Sequence, residues 1–97
     1  MSELLNATVN RLEVMRADTE LLVHAFAGAV VLAAAEDARA SAAINYDDKT
    51  TLDTQRKTED AKVALQLAWR EAQYLSNAVT ERLDVFRDLE VRLAKNG

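Results

Sequence analysis

Apolar residues recur along nearly the whole chain at alternating spacings of three and four, the pattern of a helix that buries one stripe. In the first half the stripe runs through Leu5, Leu12, Met15, Thr19, Leu22, Phe26, Val30 and Ala33 and reaches Ile44. In the second it runs through Ala61, Leu65, Ala68, Ala72, Leu75, Val79, Leu83, Phe86, Leu89 and Leu93. One cluster of turn-forming residues, NYDDKTT at 45–51, separates the two. There Asn45 is suited to closing a helix, and Thr50 with Asp53 fits a capping box that opens the next. Ser2 is suited to capping the first helix and Asn96-Gly97 to ending the second. The pattern predicts helices over about 3–44 and 51–95.

Helices of that length need a lateral partner all along them. A short turn makes each the antiparallel neighbour of the other, pairing positions whose numbers sum to about 95. The expected fold is all-α, a long antiparallel helical hairpin forming a single domain over 1–97. The alternative is a compact bundle of shorter helices broken at Gly28 and at Ser76-Asn77, against which the periodicity continues through both sites. Asp37 falls on the stripe side and requires a cation there, with Lys57 and Lys62 the candidates.

A second pattern lies on the first. LLVHAFAGAVVLAAA, residues 21–35, holds no charge, although 29% of the chain is charged. One neighbouring helix covers one side of this stretch. The side away from it carries Leu21, His24, Ala25, Gly28, Val31, Leu32 and Ala35, and the second helix has a flanking row that includes Val63, Leu67, Tyr74 and Val85. Two apolar rows per helix are what a four-helix bundle uses, so two hairpins are expected to pair as a homodimer through these eleven residues. Fifteen uncharged residues fall short of the ~20 that span a bilayer, and no basic amphipathic face is present, so the expected partner is protein and not membrane.

Composition narrows the chemistry. The chain has no proline, two glycines and 49% hydrophobic residues, a profile that favours long helices. Its net charge of −4 is spread over both signs, which gives no basic footprint for nucleic acid. Cysteine is absent, which removes disulfides and thiolate metal sites. The acidic N-terminus lacks the features of a signal peptide, so a cytoplasmic location is expected.

No catalytic, cofactor or metal site is expected. His24, the single histidine, follows Glu20 by four residues, whereas di-metal bundles use Glu-x-x-His with further inward glutamates. Ser2, Ser41 and Ser76 have no base and orienting acid arranged about them. The carboxylates of Glu36-Asp37 and Asp47-Asp48 read as surface and turn solvation. The expected function is that of a non-enzymatic interaction or assembly protein that self-associates through apolar helix faces. The alternative is a small helical subunit, adaptor or inhibitor in a larger hetero-assembly (secretion, virion or regulatory complex), and a metal-binding bundle is the least favoured reading.

Overall fold

The structure of the chain is a computed structural model that describes residues 2–96. Two helices account for almost all of it: α1, Ser2–Ala42, and α2, Lys49–Asn96. They lie antiparallel as one hairpin measuring 76 × 15 × 14 Å. Helix α1 continues unbroken through Gly28, and α2 through Ser76 and Asn77. Gly28 has no positive φ, and a Cβ there would meet nothing within 4 Å, so nothing in its surroundings calls for glycine. The compact alternative is therefore set aside. The terminator expected at Gly97 lies outside the described residues.

The turn is built differently from the capping box expected at Thr50. Asp48 stands immediately before α2 and its Oδ1 accepts the Thr50 N–H at 3.0 Å, which makes Asp48 the N-cap. Thr50 is already inside the first turn and accepts the Thr54 hydroxyl on its carbonyl. Asn45 does not close α1, which ends three residues earlier. Instead its Oδ1 accepts the Asp47 N–H at 3.0 Å in an Asx turn. The Thr51 hydroxyl accepts the Asn45 N–H at 2.9 Å and lies 2.8 Å from the Asp48 carbonyl. One side chain of α2 thereby ties down both ends of the connection.

The seam between the helices follows a strict seven-residue repeat. In α1 it consists of the rows Leu5, Leu12, Thr19, Phe26, Ala33, Ala40 and Val9, Arg16, Val23, Val30, Asp37, continued by Ile44 just past the helix, all buried or half-buried. In α2 the buried members are Ala72, Ser76, Val79 and Leu83, with Leu65, Trp69 and Phe86 half-buried beside them. Toward the open end the seam is apolar and Leu83 is completely enclosed. Toward the turn it becomes polar.

There Asp37 receives the Lys62 ammonium at 2.8 Å, the Thr58 hydroxyl at 3.2 Å and the Gln55 amide at 3.4 Å. Lys62 is thus the cation that Asp37 requires. The Lys62 hydrogen bond holds the Asp37 carboxyl below its ordinary value against an opposing push from burial. The same bond raises Lys62. Near the other end Arg87 binds Glu13 at 2.6 Å, in a register a few residues beyond the expected pairing sum. The Trp69 indole Nε1, buried in the seam, has no acceptor among the described residues.

A candidate interaction face

A two-helix ribbon has two broad sides, and in this hairpin they differ in chemistry. On one side α1 contributes Glu20, Val23 and His24 to a groove completed by Gln73, Ser76 and Asn77 of α2. Seven residues from Glu20 and fourteen from Gln73, the Glu13–Arg87 pair extends the same side toward the open end. This side is polar toward the open end and at mid-length, while its seven-residue rows carry Ala27, Val31, Ala34 and Val63 toward the turn.

On the opposite side Leu22 and Phe26 of α1 line a groove with Ala68, Glu71, Ala72 and Leu75 of α2, over which Tyr74 also reaches. The seven-residue repeat carries this side along both helices, through Met15, Leu22 and Ala29 in α1 and through Leu89, Leu75, Ala68 and Ala61 in α2. At the turn end it reaches a depression lined by Ala40, Ala43, Thr50, Thr51 and Thr54. Met15, Leu22, Leu75 and Leu89 are each between 40% and 47% exposed, half in the seam's edge and half in solvent. Two charges interrupt the rows, Glu36 in α1 and Arg82 in α2, and neither makes an ion pair among the described residues.

These four large residues correct the expected seam, in which all were placed. Ala61 and Leu93, also placed there, are likewise exposed. The true seam rows contain Arg16, Asp37, Gln55, Lys62 and Ser76, so a stripe chosen for apolarity slides one position sideways to Met15, Leu22 and Leu75. The signal that separates them is the heptad spacing of the polar seam residues themselves.

The eleven residues expected at the interface are exposed, except for half-buried Ala35. They do not share one side. Ala25, Leu32 and Val85 flank the apolar rows. Leu21, Gly28, Ala35, Leu67 and Tyr74 follow the outer ridges, most distant from the seam. His24 lies on the polar side, and Val31 and Val63 follow seven-residue rows there. Among the described residues no three His, Cys, Asp or Glu side chains gather in a metal-binding arrangement.

Helix α1 also contains an 18-residue window of mean hydropathy 1.6 with at most two charges, of which 11% is buried in the hairpin. By length and composition alone it is apolar enough to cross a membrane. The uncharged stretch reaches that length by admitting flanking acidic residues such as Glu20 and Glu36. Comparison with protein-family models, with curated proteins and with solved structures finds no match.

Proposed function

We propose that the chain is a non-enzymatic interaction or assembly protein that self-associates through its apolar side, two hairpins forming a four-helix bundle. The observation that carries this reading is the surface the hairpin leaves open. Its accessible area is 7318 Å². A compact monomer of 10.7 kDa exposes about 5,500 Å², roughly a quarter less. Among the described residues five hydrophobic residues are buried, whereas sixteen large hydrophobic side chains stand exposed. Covering the apolar side of the ribbon removes part of that mismatch, at Met15, Leu22, Leu32, Leu75, Val85 and Leu89.

A second reading has its own observation, the hydropathy of α1. Against it stands the antiparallel partner: α2 carries Glu59, Asp60, Lys62, Arg70 and Glu71 beside the uncharged stretch. Drawing these into a bilayer costs several kcal/mol each unless α2 peels away and gives up the seam. Self-association in water, and with it a cytoplasmic location, demands no such rearrangement.

Light scattering on the purified chain at micromolar concentration tests the reading. A mass twice 10.7 kDa is expected. A helical monomer of that mass overturns self-association, a stoichiometric foreign chain from the native source transfers the face to a hetero-assembly, and flotation with neutral lipid vesicles favours the membrane.

A further inference from the structure

We infer that the occupant of the apolar side is a second copy lying antiparallel to the first, with its turn end over the open end. The inference rests on the self-association proposed above and specifies its geometry. Residues of α1 and α2 that stand level across the hairpin, such as Asp37 bonded to Thr58 and Lys62, or Glu20 and His24 lining one groove with Gln73 and Asn77, have numbers summing to about 97. On the apolar side this puts Leu22 level with Leu75, and Ala29 level with Ala68. One level is bulky and the next is small.

One heptad further out, Met15 is level with Arg82 at one end and Glu36 with Ala61 at the other. A two-fold axis across the ribbon, midway between Leu22 and Ala29, therefore places every level against its complement. Leu22 and Leu75 meet Ala29 and Ala68 of the second copy, and interior packing at uniform density favours large against small. The same operation brings Arg82 to the level of Glu36 of the second copy, twice per dimer. The two charges that interrupt the apolar rows neutralise each other across the interface.

The turn-end depression lined by Ala40, Ala43 and Thr54 comes to the level of Leu89, which fills it. A parallel pair fails on each count. It stacks four leucines on one level and four alanines on the next, and it sets Arg82 against Arg82 and Glu36 against Glu36. The antiparallel overlap is about 55 Å long at 1.5 Å per residue. Over the width of the ribbon that covers on the order of 800 Å² per chain, the size of a standard stable interface.

The absence of cysteine makes the test direct. A nitroxide on Asp47→Cys in the turn, read by double electron–electron resonance, is expected to report a separation of about 60 Å between copies. A separation under about 30 Å overturns the antiparallel geometry while leaving self-association standing, and no dipolar signal from folded protein overturns self-association itself. The charge pair gives an independent readout. Glu36→Arg and Arg82→Glu are each expected to weaken the dimer roughly tenfold or more, with the double variant recovering most of the loss. Losses that simply add overturn the pairing.

Discussion

The polar and apolar sides of the hairpin are made by the same two helices, at the same spacing from the same seam, yet they dispose of their side chains in opposite ways. On the polar side, Glu13 and Arg87 satisfy each other at 2.6 Å while remaining solvated. On the apolar side Met15, Leu22, Leu75 and Leu89 are left half in water, and Glu36 and Arg82 have no ionic partner among the described residues. One side pairs its charges across the hairpin; the other leaves Glu36 and Arg82 for the proposed second copy to meet. The difference teaches that a regular seam can leave apolar surface open, because each helix has more apolar circumference than one neighbour can cover.

The comparison is broken most severely by placing charge on the apolar side. Leu22→Glu combined with Leu75→Glu removes two side chains each worth about 1.5–3 kcal/mol of burial and leaves buried carboxylates in their place. Sedimentation velocity is expected to show complete loss of association. Gln73→Glu combined with Thr80→Glu, on the polar side, is expected to leave the dimer intact. Next in size is the seam that both sides share. Leu83 is fully enclosed, so Leu83→Ala is expected to cost about 2–5 kcal/mol in urea unfolding.

The Asp37–Lys62 pair gives a pH-dependent contribution. Because the folded carboxyl is held below its ordinary value by Lys62, the stabilisation is present above about pH 4 and is lost as the pH falls through the folded value. The raised Lys62 keeps its share through neutral pH and loses it only in strong alkali. The stability difference between wild type and Asp37→Asn should therefore be constant from pH 5 to 9 and shrink in acid; a difference that grows in acid contradicts the assignment.

Smaller effects sharpen the boundary of the face. Gly28 lies on the outer ridge with open space around it, so Gly28→Ala should stabilise the helix by about 0.5–1 kcal/mol. Gly28→Leu should leave the oligomer unchanged, because the ridge points away from the covered side; a weaker dimer would return the interface to the ridge. Smallest of all, Glu13→Gln on the solvated side should cost about 0.2–1 kcal/mol in thermal unfolding.

The hairpin was legible in the chain because length, absence of proline and a single turn cluster leave few other folds. The need of Asp37 for a cation was legible too, narrowed to Lys57 or Lys62, since a carboxylate on the stripe demands a nearby positive charge; the structure selects Lys62. The seam's rotation was not, because Arg16, Gln55, Lys62 and Ser76 occupy positions that an apolar criterion passes over. Long side chains such as Arg16 can lie along a seam with their charged ends in water, so burial and polarity separate there. The cap moved from Thr50 to Asp48 because aspartate outranks threonine at that position and Asp48 is the one placed before the helix. The interface residues scattered over three sides for the same rotational reason, since a stripe displaced by one residue turns the whole wheel by 100°.

In the proposed dimer, folding and covering the apolar side are one event, so thermal unfolding depends on protein concentration. For a dimer of chains this length, a hundredfold rise in concentration is expected to raise Tm by about 7 °C. A Tm that stays fixed over that range, with full helicity below it, would show a hairpin stable alone and overturn the coupling of folding to association.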